Sequence, residues 1–101
     1  MHDPRFDQLA HLLIHHSTKL QAGENLLIEA TDVPEELTVA IIRAAEKVGG
    51  NVMVNTRQSR VTRALFHAAT DASMQLNGAV GLHQMQQAQA CLLYTSDAAD
   101  E

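Results

Sequence analysis

The opening of the chain repeats apolar positions at helical spacing. Phe6, Leu9, Ala10, Leu13 and Leu20 fall on one stripe with Ser17 as its polar member, which predicts a helix with one buried face. Asp3-Pro4 supplies a capping side chain followed by a proline whose missing N–H costs nothing in a first turn. Gly23 suits the left-handed residue that ends a helix. "NLLIEA" at residues 25–30 is then a short apolar run, bounded by Gly23 and by Thr31-Asp32. Three successive aliphatic residues predict a strand covered on both faces. In the next segment Asp32 and Glu35 have capping-box spacing, and Pro34 sits in the first turn. Leu37, Ala40, Ile41, Ala44 and Val48 form its stripe, and Gly49-Gly50 closes it. "NVMVNT" at residues 51–56 is the second strand. Strand, helix and strand make a βαβ unit, whose crossover is right-handed in about 98% of cases.

After Arg57 the period becomes helical again. Val61, Leu65 and Ala68 or Ala69 predict one helix, Thr70-Asp71 a break and new cap, and Met74, Leu76, Val80, Leu82 and Met85 another helix reaching about Ala90. Gly78 and Gly81 weaken that helix by about 1 kcal/mol each relative to alanine. The fold class is therefore α/β: a partial α-β-α-β-α-α domain with a parallel sheet, truncated before its third strand. Two parallel strands alone make a poor sheet, so a third is expected soon after Ala90.

At that point stands "CLLYTSDAADE", residues 91–101, which holds the only cysteine and the only tyrosine. "LLYTS" has strand composition. Yet all eleven residues of the stretch resemble the translation of a transposon-type library adapter. On that resemblance Ala90 is about the last residue of biological origin, with a genuine C-terminal strand as the alternative reading. The resemblance divides the chain into an incomplete α/β domain at 1–90 and a non-native, adapter-derived tail at 91–101, and it removes Cys91 from any redox or nucleophile argument.

Composition narrows the field. Apolar residues make up 46% of the chain but aromatics only 3%, so the core has to be aliphatic. The net charge is −5, and three of the twelve acids lie in the tail; without them 9 acidic residues face 7 basic ones. That near balance argues against an electrostatic nucleic-acid binder. No apolar run approaches the roughly 18 residues of a membrane span, and "MHDPRFDQ" lacks the basic and apolar regions of a secretory signal. One cysteine allows no internal disulfide. The expectation is a soluble cytoplasmic protein.

Candidate chemistry is sparse. His11 and His15 share a helix face, as zinc-binding pairs do, but they lie opposite the apolar stripe and no third ligand stands at useful spacing. A solvated face is the simpler reading. His16 borders the stripe, His67 and His83 are isolated, and His2 lies near the chain end. Glu35-Glu36 suit the positive end of a helix dipole. They oppose a phosphate site there, as does the missing glycine-rich loop, so "TDVPEE" is no dinucleotide fingerprint. Asp32 follows a strand, where α/β proteins place ligands, though capping accounts for it. Arg57, Arg60 and Arg63 form a basic cluster that reads either as an anion site or as a solvated helix face. No nucleophile-and-base set can be assembled.

Four segments nevertheless carry a family resemblance: "DPRF" at residues 3–6, "GENLLIE" at 23–29, "DVPEEL" at 32–37 and "RAA" at 43–45. In that order and spacing they resemble the amino-terminal region of the thermophilic metallo-aminopeptidases, and the likeness runs over residues 3–90. The resemblance implies a cytoplasmic exopeptidase that removes N-terminal residues from peptide substrates with divalent metal ions of the zinc or cobalt type. It also implies a homodimer, while the charge balance and the short apolar runs already speak against a nucleic-acid or a membrane partner. The family's metal-binding Glu, His and Asp lie in a later catalytic domain, so no catalytic, cofactor-binding or metal residue is carried onto this chain. The Gly78–Gly81 stretch is looser than the charged helix usual in the family. Two other classes remain: a stand-alone α/β ligand-binding or regulatory module, and a helical interaction protein that uses Val39 and Ile42 as its surface.

Overall fold

The computed structural model describes residues 3–95. Helix α1 (Pro4–Leu12) starts as expected, with the Asp3 carboxylate accepting from the Arg5 N–H at 2.9 Å. It does not run on regularly to Gly23. Leu13–Ser17 widens into a π-helical turn, closed by the Thr18 N–H donating to the Leu13 carbonyl at 2.9 Å. One wide turn rotates everything after it, because each π turn takes an extra residue. Ile14, one turn beyond the buried Ala10, is fully buried (0% exposed), while Ser17 at the end of the wide turn faces solvent.

Strand β1 (Asn25–Thr31), helix α2 (Glu35–Val48) and strand β2 (Asn51–Arg57) form the expected βαβ unit, with β1 and β2 parallel. Leu26, Leu27 and Ile28 are all buried, as a strand covered on both faces requires. Helix α2 buries Leu37, Thr38, Ala40, Ile41 and Ala45, and Gly49 ends it in the left-handed conformation at φ 90°. The Gly23 N–H donates to the Gly49 carbonyl at 2.9 Å, which joins the two turns at the base of the sheet.

Helix α3 (Ser59–His67) and helix α4 (Asp71–Gln87) follow. Thr70 caps α4 through a reciprocal pair with Ser73. Strand β3 (Ala90–Thr95) then lies parallel to β1 on the side opposite β2, giving the order β2-β1-β3. The domain is thus a partial α/β unit, but not one cut before its third strand. That strand is made of Ala90 and the first five residues set apart as a tail; residues 96–101 of that tail lie outside the described residues. β3 docks because its alternation places Leu92 inward beside Ile28, the partner residue in register.

Alternation along β1 gives the sheet two unlike faces. Leu26, Ile28 and Ala30 point into an aliphatic core shared with Ala10, Ile14, Leu20, Leu37 and Ile41. On the opposite face lie Leu27, Glu29 and Thr31, and α4 crosses there. Neither α3 nor α4 buries a single residue. Val61, Leu65, Met74, Leu76, Val80, Leu82 and Met85, the stripe residues of both helices, are exposed. The periodicity predicts the helices correctly, but nothing among the described residues covers their stripes. No described helix is long and apolar enough to cross a membrane.

Candidate functional site

Parallel strands point their carboxyl ends the same way, and loops leaving them form the crevice where α/β folds place ligands. Here β1 exits through Thr31-Asp32 and β2 through Arg57-Gln58. Asp32 takes φ 55°, a left-handed conformation uncommon for a residue with a side chain. Its N–H donates to the Arg57 carbonyl at 3.0 Å, holding the two exits together. Its carboxylate accepts from the Ser59 N–H at 3.0 Å and from the Ser59 hydroxyl.

These contacts correct the capping assignment. Helix α2 begins at Glu35 with Pro34 at its cap and no side-chain cap bond, so the Asp32/Glu35 spacing forms no capping box. Asp32 instead supplies an acceptor for the first N–H of α3, whose own cap residue, Gln58, supplies none. The two Ser59 donors stabilise the ionised carboxylate and hold its pKa below the ordinary aspartate value, the hydroxyl contributing most.

A second polar group lies on the sheet face under α4. Asn55 is the register partner of Glu29. Its amide donates to Glu29 Oε1 at 2.9 Å and to Gln84 Oε1 of α4 at 2.8 Å. Arg57, two residues further along the same face, places Nε 3.1 Å from Glu29 Oε2 and Nη2 3.3 Å from Oε1. Every acceptor in this group has a donor, so it fastens α4 to the sheet rather than presenting a free base. Cys91, exposed on the neighbouring strand, has its thiol pushed up by partial desolvation and then by the Glu29 charge.

Helix α3 divides the crevice in two. One face, with Thr62, Arg63, Phe66 and His67, meets Thr31 and Arg57 around a cleft of about 500 Å³. The other face, with Arg60, Val61 and Leu65, opens onto a groove of about 1020 Å³ whose far wall is Val39 and Ile42 of α2. The basic cluster therefore spans both: Arg63 lies on the cleft side and Arg60 on the groove side, while Arg57 borders each.

His11 and His15 do share a face, with ring centroids 4.1 Å apart and both residues exposed. His16, expected at the boundary of the stripe, is exposed as well. Among the described residues no group of three or more His, Cys, Asp and Glu is placed to hold a metal ion. The divalent metals that the resemblance implies therefore have no donor set here, and no catalytic step is derived through them. Glu35 and Glu36 stand in the first turn of α2, as dipole reasoning expects. Glu29, Asn55, Gln84 and Ser59 are the residues that sequence reading missed. One signal was available: Glu29 and Asn55 occupy matching places in two parallel runs. No family model matches the chain, and no curated protein matches it.

Proposed function

We propose that the chain is the amino-terminal, non-catalytic α/β segment of a cytoplasmic metal-dependent aminopeptidase, with peptide hydrolysis carried out by a later domain of the parent protein. The observation that carries this reading is the ordered set "DPRF", "GENLLIE", "DVPEEL" and "RAA". Each falls on a structural landmark: the start of α1, the turn into β1, the approach to α2 and the last half of α2. The apolar surface of α4 supports it too. Met74, Leu76, Val80, Leu82 and Met85 stand exposed on it, and a larger body would supply cover for them. By itself the chain has no aminopeptidase activity on this reading, and the parent acts as a homodimer with zinc- or cobalt-type ions in its later domain.

The source DNA, sequenced across codon 91 by a method that uses no transposon adapter, tests the proposal. A frame that continues into metal-binding Glu and His motifs supports it. A frame that encodes residues 91–101 and then stops removes it. Hydrolysis of an aminoacyl-nitroanilide by the purified chain, suppressed by a chelator, removes the non-catalytic assignment.

One observation favours a second reading, a stand-alone ligand-binding module. β3 completes a three-stranded sheet with its crevice already formed. A monomeric chain that unfolds in one cooperative step supports the module, and concentration-dependent association through α3 and α4 supports the severed segment.

A further inference from the structure

The cleft on the Arg63 face of α3 differs in charge from the rest of the molecule. The chain carries a net charge of −5, yet no acidic side chain lines this cleft, while Arg57, Arg63 and His67 all do. Glu29 stands behind it and takes Nε and Nη2 of Arg57. That pair neutralises Arg57 in part but also fixes its guanidinium plane, with Nη1 outside the pair. The surplus positive charge comes from Arg63, and His67 adds an imidazole ring on the same wall. These two residues are four apart on one helix face, so their side chains reach the same space.

The amino end of α3 is not the anchor, because Asp32 already occupies the Ser59 N–H and hydroxyl. Recognition therefore rests on side chains. Guanidinium groups match phosphate oxygens with paired N–H donors, and the Thr62 and Thr31 hydroxyls on the same walls add neutral donors. Phe66 contributes a flat apolar surface on the same helix face and is 70% exposed. The cleft, about 500 Å³, is shallow and open to solvent, so affinity there rests on the charged groups and on contact with the ring. A simple solvated arginine face needs neither a concave wall nor an aromatic ring beside it.

We propose that this cleft binds a small phosphate monoester carrying a flat ring, with Arg57, Arg63 and His67 on the phosphate and Phe66 against the ring. The proposal is independent of the aminopeptidase reading, since the DNA test and the binding test can fail separately.

The test is an amide NMR titration of the full chain with phenyl phosphate. Phenol and inorganic phosphate at matched ionic strength separate the ring from the charge. Phenyl phosphate is expected to give saturable shifts at low-millimolar concentration, centred on residues 57–67, with each half-ligand at least about 10-fold weaker, a difference of roughly 1.4 kcal/mol. Arg63→Ala combined with His67→Ala alters only exposed side chains, keeps the spectrum of the folded chain and weakens binding by about 10-fold or more. Arg60→Ala, on the other face of α3, leaves affinity within about twofold. Equal losses for the two sets of variants would reduce the effect to non-specific charge and overturn the proposal. So would shifts that fail to saturate by about 20 mM, shifts centred on His11 and His15, or phenol binding as well as phenyl phosphate.

Discussion

Replacing Leu92 with alanine decides whether β3 is part of the cooperative unit or merely lies beside it. Leu92 is 9% exposed and is the one buried residue of β3, flanked by the half-buried Ala90 and Tyr94 and the register partner of Ile28. The substitution removes three carbons, worth about 0.8 kcal/mol each on transfer from water, or roughly 2.5 kcal/mol in all. β3 pairs with β1 on one side only, so its surroundings can close part of the space left behind. The cavity penalty is then small, and the expected loss is about 2–3 kcal/mol, the low end for buried leucines. Leu93, next in sequence, points the other way and is 79% exposed. Leu93→Ala should change stability by less than about 0.5 kcal/mol. Urea unfolding of the full chain, followed by far-ultraviolet circular dichroism, measures both. With a slope of about 1–2 kcal/mol per molar urea, Leu92→Ala moves the midpoint down by more than about 1 M. Midpoints for the two variants within experimental error of each other would mean that β3 contributes no packing, and the three-stranded core would have to be abandoned.

Two glycines should respond to alanine with opposite signs. A Cβ at Gly50 would stand 2.6 Å from Leu20 Cδ2, and Leu20 is buried, so Gly50→Ala costs about 1–3 kcal/mol through overpacking. At Gly78 there is open space within α4, and Gly78→Ala stabilises by about 0.5–1 kcal/mol. Thermal unfolding reads both, and a lower midpoint for Gly78→Ala would contradict the open helix surface. The Asp32–Ser59 contact predicts a pH dependence. Because the folded pKa of Asp32 is depressed, its contribution is complete above the unfolded aspartate value of about 3.9 and is lost as pH falls through the folded pKa. Ser59→Ala should return the Asp32 carboxyl titration, followed by carbon-detected NMR, towards that ordinary value. No movement would show that Ser59 does not hold the carboxylate.

Local signals made half of this fold legible. β1, α2 and β2 could be read because each is specified within its own residues: an aliphatic run, a stripe with Gly49 after it, and a second run of matching length. The π-helical turn at Leu13–Ser17 could not, since no proline or glycine marks it and the stripe continues through it unbroken. Asp32 illustrates a different limit. Its spacing to Glu35 is local and pointed to α2, whereas its actual partner, Ser59, is distant in sequence and adjacent only once β1 and β2 are paired. The same pairing creates the Glu29–Asn55–Arg57 group, which exists only in one register; a slip of one residue would send these side chains to the other face. Arg57, Arg60 and Arg63 were recognisable as a cluster, but the separation of Arg63 from Arg60 depends on where the two faces of α3 point.

The two faces of the sheet explain why function was harder to read than fold. The face under α1 and α2 is closed by aliphatic packing around Ile14, Ile28 and Ile41, and leaves no chemistry over. The opposite face and the carboxyl edge carry the Glu29 group, the Asp32–Ser59 contact and the cleft beside Arg63. That face is held mainly by hydrogen bonds such as Asn55 to Gln84, each worth about 1 kcal/mol net, rather than by buried side chains of α4. A helix so lightly attached opens locally at far lower cost than the core does. Yet α4 leaves Met74, Leu76, Val80, Leu82 and Met85 exposed among its polar residues, and contact with one sheet face does not cover them. Both properties fit a helix meant to be covered from outside as well. On the proposed reading the parent protein supplies that outer layer, and the crevice at the strand ends then lies along an internal boundary of the parent, where α/β proteins concentrate their ligand sites.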